Sequence, residues 1–347
     1  MSESHLPSQS PRYYSREEGY SHIPIPPPLP IYQNRTGCFR SSCLGCGTML
    51  VLFFLFCCGL AVLPSLEVPL TRKHVAGVPN AASKIAILQI EDTILSNKGF
   101  INDQIEDVLK DPTVGAVVLR IDSPGGTVSA SDYYYHKLRR LREERDIPIV
   151  VSMGGVCASG GYYIAMSVGN STPNVLFAEP TTWTGSIGVI LSHYDLSELA
   201  ENIGIEENSI KSHELKGMGS LLKPMTERER EIFQTLVNDS FARFKEVVCS
   251  GRATFAEDKA KLDAIATGQV FSTREALTNG LVDSEGYLED AVKRAMELMG
   301  ADEFSVEVYR YESRETFLKL LSGVHAQESA NPIETLRKWT VPQAYYL

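Results

Sequence analysis

One serine in the chain stands where backbone amides can reach the group that it would attack. Ser159 lies in VCASGGYYIA, residues 156–165, directly before two glycines. A hydroxyl at the start of a helix lies at the positive end of the helix dipole, and the adjacent Gly160 N–H can stabilise the oxyanion formed by attack on a carbonyl. An N-cap serine followed by small packing residues is the structural alternative for the same motif.

A second glycine motif, RIDSPGGTVSASD, occupies residues 120–132. An apolar strand ends at Asp122, and ligands bind to α/β proteins in the loops that follow the carboxyl ends of strands. Gly126 lacks a Cβ, so its N–H can closely approach a ligand. The motif has no G-K-[ST] ending and is not a Walker loop. Alone it fits a simple strand–helix turn equally well, but two glycine loops one strand apart favour a functional site.

A serine nucleophile needs a base to remove its proton. The histidines of the globular region are His136, His193, His213 and His325. His136 and His325 have no recognisable triad context. The other solution is a lysine whose burial favours the neutral amine. The lysines of the stretch 209–226 are Lys211, Lys216 and Lys223.

The elements that must position these residues follow an alternating pattern. Apolar segments that alternate with helical segments predict parallel βαβ units, and therefore an α/β fold. Thr226 and Glu229 form a capping box at the start of the last helix. The predicted strands are 84–92, 114–122, 147–155, 174–179 and 184–192, and the predicted helices are 102–111, 127–146 and 226–252.

The segments around the globular region have distinct compositions. Residues 1–43 are rich in proline and polar residues, which predicts a disordered tail. Residues 44–66 carry no charge over a length that spans a bilayer, and about 40 residues precede them, which favours a single uncleaved transmembrane helix over a signal peptide. We expect a linker over 67–83, a catalytic domain over 84–300 on the extracytoplasmic side, and a C-terminal extension over 301–347.

Composition excludes some classes of function. Acidic residues outnumber basic ones by 43 to 33, for a net charge of −10, which argues against a nucleic-acid partner. The chain has seven cysteines, of which five lie between Cys38 and Cys58, and this spacing is not a disulfide framework. Cys43 and Cys46 form one CxxC with no second pair, so we predict neither a metal nor a cofactor.

Six motifs occur in an order that resembles the signal peptide peptidase A (SppA) family of membrane-anchored serine proteases. They are RIDSPGG, CASGGYYIA, TGSIGV, IKSHELKGMGS, PMTERERE and GQVFSTREALTNGLVD. The resemblance covers about residues 84–300, and the ordered set is specific although each motif alone is not. It implies a ClpP/crotonase-like fold of repeated ββα units and peptide hydrolysis through an acyl-enzyme.

The resemblance also implies a role for each site residue. Ser159 is the nucleophile, and Lys216, the second lysine of the family's KSGxxK element, is the general base. Ser186 in TGS orients the lysine, and the N–H groups of Gly126 and Gly160 form the oxyanion hole. This sequence departs from the family pattern where His213 replaces the glycine of KSG, and GMGS follows the lysine where an acidic residue is common in the family. That substitution leaves Lys211 as the next candidate for the base.

Finally, the resemblance implies membrane-derived peptide substrates, such as remnant signal peptides, and a ring-like homo-oligomer. The apolar C-terminus, VPQAYYL, is expected to lie in the substrate groove. Three alternatives share parts of the pattern: a crotonase-type acyl-CoA enzyme, a stomatin-associated membrane serine protease, and a non-enzymatic membrane scaffold.

Overall fold

The computed structural model describes residues 70–311 and 344–346. Nine strands of this part form one mixed, mainly parallel sheet in the order β1-β11-β2-β3-β5-β6-β10, with β7 beside β5 and β9 beside β7. The strands of this sheet are β1 (Leu70–Gly77), β2 (Lys84–Glu91), β3 (Val114–Ser123), β5 (Ile149–Ala158), β6 (Leu176–Ala178), β7 (Trp183–Gly185), β9 (Val270–Ser272), β10 (Ser284–Glu285) and β11 (Ser305–Tyr311).

Helices cover this sheet, so the prediction of an α/β fold is confirmed. The longest helix begins at the predicted capping box, in which Thr226 and Glu229 bond reciprocally. The helices are α1 (Phe100–Lys110), α2 (Val128–Arg145), α3 (Gly160–Ala165), α4 (Ser197–Asn202), α5 (Glu227–Gly251), α6 (Ala253–Glu257), α7 (Lys259–Ile265), α8 (Thr273–Asn279) and α9 (Leu288–Met299).

The central strands β2, β3 and β5 are apolar on both faces because helices pack on both sides of them. They pair in parallel, and the side chains of Val117, Leu119 and Val151 are fully buried between the layers. Their carboxyl ends meet at one edge of the sheet. This edge carries both predicted glycine motifs.

A second, three-stranded sheet lies at that same edge. It consists of β4 (Gly126–Thr127), β12 (Ala344–Tyr346) and β8 (Ile190–Leu191), with β12 in the middle. The C-terminal strand β12 is antiparallel to both neighbours, so that Tyr346 is the register partner of Gly126.

Two segments differ from the sequence-based expectation. The continuous strand predicted over 184–192 is wrong, because the backbone turns at Ser186, whose φ is +50°, and leaves the short strands β7 and β8. Residues 70–77, expected in the linker, form β1 and pair with β11.

The predicted disordered tail and transmembrane helix at 44–66 lie outside the described residues. Within residues 70–311, we find no helix that is long and apolar enough to cross a bilayer. The same residues contain no group of three or more His, Cys, Asp or Glu side chains arranged to hold a metal ion.

Candidate active site

Ser159 occupies the sharp turn between β5 and α3. Its backbone has φ +51° and ψ −115°, a conformation that costs a non-glycine residue about 1–3 kcal/mol. The Ser159 N–H donates to the Gly185 carbonyl at 2.8 Å, which fixes the turn against β7. The side chain is 0% exposed, and its Oγ has no hydrogen-bond partner among the described residues. A strained turn that holds a buried, unpaired hydroxyl is typical of a positioned nucleophile.

The structure brings the two predicted oxyanion glycines together. A Cβ at Gly160 would lie 3.1 Å from the Gly126 amide nitrogen and closer than 3.0 Å to the Ser131 Oγ. A Cβ at Gly126 would collide with the backbone carbonyl of Ile94. Only glycine therefore permits this approach at either position, and the approach places the Gly126 amide beside the residue that follows Ser159.

Ser186 follows the residue that accepts the Ser159 hydrogen bond. It is 5% exposed, its N–H donates to the Gln269 carbonyl at 2.8 Å, and its Oγ donates to the Gly268 carbonyl at 3.3 Å. The positive φ at Ser186 turns the chain away from β5 directly after the contact with Ser159. Ser186 thus lies in the same corner of the fold as Ser159.

The three candidate lysines differ in their partners. Lys211 Nζ bonds Glu207 Oε1 at 2.5 Å, and Lys223 Nζ bonds Glu229 Oε1 at 2.5 Å. A carboxylate partner favours the protonated amine, which is the wrong form for a base. Lys216 is exposed and lies on the 3₁₀ turn Glu214–Gly217, and its side-chain amine has no hydrogen bond or ion pair with the described residues.

The structure does not join Lys216 to Ser159 within one chain. The Ser159 Oγ is buried without a partner, whereas Lys216 lies on the surface. The turn that carries Lys216 must therefore move, or a second copy must supply the amine, before a Ser159–Lys216 hydrogen bond forms.

His213, where this sequence departs from the SppA pattern, has a local structural role. It is the N-cap of the 3₁₀ turn, and its Nδ1 accepts the Leu215 N–H at 3.3 Å. The Lys216 N–H donates to the His213 carbonyl at 3.0 Å. The imidazole therefore satisfies a helix-end N–H that a glycine would leave to water.

Cys157, two residues before Ser159, is not a competing nucleophile. Its side chain is fully buried in β5, and burial raises the pKa of its thiol far above the ordinary value. Because the thiolate is the reactive form of cysteine, this residue stays inert at neutral pH.

Sequence reasoning did not identify the partners that hold the candidate residues in place. The Gly185 carbonyl, which accepts from Ser159, and the Glu207 carboxylate, which binds Lys211, have no motif of their own. The only sequence feature that pointed to either of them is the TGS element, of which Gly185 is the middle residue.

Comparison with known proteins places this site in a family. The family model "Peptidase family S49" matches residues 142–302, which include Ser159, Ser186 and Lys216. The chain is 36% identical over 244 residues to the putative protease slr0021 of Synechocystis, with 70% of this chain and 84% of the relative covered.

A second relative is the chloroplastic serine protease SPPA of Arabidopsis thaliana, 30% identical over 236 residues. That match covers 64% of this chain but only 33% of the relative, so the chain spans a third of that protein's length. The solved structure of the 1510-N membrane-bound stomatin-specific protease matches 62% of this chain and 85% of its own, with a TM-score of 0.37 and 17% identity, too remote a likeness to support an inference. The family model and the two sequence relatives favour a peptidase over the acyl-CoA enzyme and the scaffold. The chain therefore belongs to the SppA family, peptidase family S49, and is a serine-type peptidase.

Proposed function

We propose that the chain is a membrane-anchored endopeptidase that hydrolyses peptides with a Ser159–Lys216 dyad. The observation that carries this proposal is the strained, fully buried Ser159, whose Oγ has no partner and whose neighbour Gly160 packs against the glycine loop. Such strain persists where a structure holds a residue for function. Ser186 is proposed to orient the Lys216 amine, because it lies beside the residue that holds the Ser159 turn.

The dyad performs acyl transfer in two steps. The neutral Lys216 amine removes the Ser159 proton as Oγ attacks the scissile carbonyl, and the resulting ammonium returns that proton to the leaving amine. Water then attacks the acyl-enzyme, again with the lysine as base. The N–H groups of Gly126 and Gly160 donate to the oxyanion in both steps, the interaction that lowers the barrier most in this kind of site.

A homo-oligomer accounts for the separation of Lys216 from Ser159 in one chain. Residues 199–210, which precede the turn that carries Lys216, also expose large apolar side chains, of which Leu199 is 56% and Ile203 is 62% exposed, and Ile210 is fully exposed. Exposed apolar side chains gathered on one segment mark an interaction surface. We propose that a neighbouring copy covers this segment and receives Lys216 in its Ser159 site.

The C-terminal strand β12 supports an extended mode of peptide binding. It adds to β4 and β8 by backbone pairing, and its partner Gly126 is a proposed oxyanion glycine. Addition of a strand to exposed sheet edges is a general mode of peptide recognition. We propose that substrate peptides, including remnant signal peptides, bind between β4 and β8 and that the C-terminus occupies this groove when substrate is absent.

Removal of residues 341–347 is expected to raise the initial rate of peptide hydrolysis at subsaturating substrate by at least about threefold, because a tethered occupant competes at a high effective concentration. The rate is measured with a fluorogenic peptide, and added VPQAYYL peptide should inhibit the truncated enzyme. Tyr345→Pro, which removes a backbone N–H of β12, should act like the truncation. Tyr345→Ala, which keeps that N–H, is the matched control. Unchanged turnover and unchanged labelling of Ser159 after truncation would exclude the tail from the groove.

The remaining features of the proposal follow from the SppA family and the sequence. The uncharged run 44–66 is proposed to anchor the chain in a membrane by a single span, with the catalytic domain outside the cytoplasm. The catalytic domain is proposed to have the ClpP/crotonase-like architecture of repeated ββα units over residues 84–300. The substrates that reach such a domain are peptides released at or in the membrane.

A serine-directed phosphonate probe tests the proposed dyad. The label should map to Ser159 in the detergent-purified protein, and Lys216→Ala should abolish labelling because the hydroxyl then lacks its base. Lys223→Ala is the matched lysine control, because Lys223 lies in the same stretch and binds Glu229 instead. Labelling that persists in Lys216→Ala and disappears in Lys211→Ala would reassign the base, and labelling at another serine would overturn the proposal.

A further inference from the structure

The carboxylate of Glu207 binds side chains on both sides of Lys216 in the sequence. Glu207 Oε1 accepts from Lys211 Nζ at 2.5 Å and from Ser209 Oγ at 3.0 Å, and Glu207 Oε2 accepts from Ser220 Oγ. We call these four residues the Glu207 clamp. Because the clamp binds residues on both sides of Lys216 in the sequence, it converts an irregular segment into a closed loop.

The clamp contacts the turn that carries the lysine. The Lys211 side chain lies against Gly217, the residue directly after Lys216, so closely that a Cβ at Gly217 would collide with the Lys211 Nζ. On the other side, the Ser220 N–H donates to the Gly217 carbonyl at 3.3 Å. Lys211 and Ser220, which both bind Glu207, therefore both contact Gly217, the residue next to Lys216.

The clamp joins a carboxylate to an ammonium group near the surface. The Glu207 and Lys211 side chains are 17% and 25% exposed, so solvent screens the pair only partly. The hydrogen bonds from Lys211, Ser220 and Ser209 lower the pKa of Glu207 to about 2, so the carboxylate stays charged throughout the neutral range. Charge-assisted bonds of this kind hold a loop more firmly than neutral ones.

We propose that Glu207 is a positioning residue that fixes the turn presenting Lys216, with Lys211 as its structural cation. This inference rests on the proposed Ser159–Lys216 dyad and deepens it. Since Glu207 is tied to Lys211 rather than to Lys216, it holds the catalytic amine in place without donating or accepting the transferred proton.

The test is a double-mutant cycle read as the acylation rate of Ser159 by a p-nitrophenyl ester of a blocked amino acid. This ester has a good leaving group, so acylation stays measurable when the base is absent. In the otherwise native full-length protein, Glu207→Gln should lower the acylation rate about tenfold, an effect of the size measured between residues that interact. In a Lys216→Ala background, the same substitution should lower the rate by less than about twofold. Glu206→Gln is the matched control, because Glu206 is the adjacent exposed carboxylate. Lys211→Met should reproduce the pattern of Glu207→Gln.

The outcomes separate this inference from the proposed function. An equal loss of rate in both backgrounds, or no loss with Lys216 present, would overturn the role of Glu207 and leave the dyad intact. If Lys216→Ala alone left the acylation rate unchanged, the dyad itself would fail. Thermal unfolding of each variant checks that the comparison is made between folded proteins, and Lys211→Met decides the matter if Glu207→Gln does not fold.

Discussion

Ser159→Ala should lower kcat/KM for peptide hydrolysis by at least about 10⁴-fold, and Lys216→Ala should cost nearly as much, because a nucleophile and its base act as one unit. The Ser159→Ala/Lys216→Ala double variant should be no less active than Ser159→Ala alone. Steady-state hydrolysis of a fluorogenic peptide provides the measurement. Ser167→Ala is a matched control, since Ser167 is also fully buried and its Oγ also has no partner among the described residues.

A mixing experiment extends this prediction to the assembly. When Ser159→Ala and Lys216→Ala chains are combined and allowed to exchange, activity should return in part, because a mixed pair contains one intact Ser159 and one intact Lys216 that meet across the interface. The exposure of Lys216 and of the apolar side chains over residues 199–210 is the basis for this expectation. No recovery in a mixture shown to have exchanged subunits would mean that both residues of the dyad belong to one chain.

Gly160→Ala should reduce kcat/KM by about 10²–10³-fold, the loss measured when one oxyanion donor is removed. The new Cβ would press on the Ser131 Oγ and approach the Gly126 amide nitrogen to 3.1 Å, so the two amides would be forced apart. The loss should fall mainly on kcat, because the donors act on charge that develops in the transition state. A fluorogenic peptide measures kcat and KM separately.

Two variants test the cause of that loss. Gly155→Ala is the control, because a Cβ there meets only Asp122 at an ordinary contact distance of 3.7 Å. Adding Ser131→Ala to Gly160→Ala removes the hydroxyl that collides and should recover part of the rate. Full activity of Gly160→Ala would show that the Gly160 amide takes no part in catalysis.

The sequence predicts the central strands well because their signal is local and continuous. β2 and β3 are apolar on both faces, and their predicted bounds are correct to within one residue. The predicted strand 184–192 is wrong for a physical reason. Hydrophobicity reports burial, and the residues around Ser186 are buried, but the positive φ that breaks the strand there leaves no trace in the hydrophobic pattern.

The sequence likewise predicts one part of the candidate site and not the other. The grouping of Ser159, Gly126 and Gly160 follows from two strand ends at one edge of a parallel sheet, and the structure brings these residues together. The position of Lys216 does not follow, because its segment is irregular and the proposed contact with Ser159 is not made within one chain. The Glu207 clamp could not be predicted either, since the carboxylate joins Lys211, four residues away, to Ser220, thirteen residues away, and this combination forms no sequence motif.

The sealed thiol of Cys157 has a practical consequence for work on this enzyme. Alkylating agents and mild oxidants act on thiolates, and the strand that leads into Ser159 offers them none. A thiol-directed reagent can therefore be used in the same sample as a hydroxyl-directed one, because it will not modify Cys157 beside Ser159. Loss of turnover under oxidising conditions would then have to originate elsewhere in the chain.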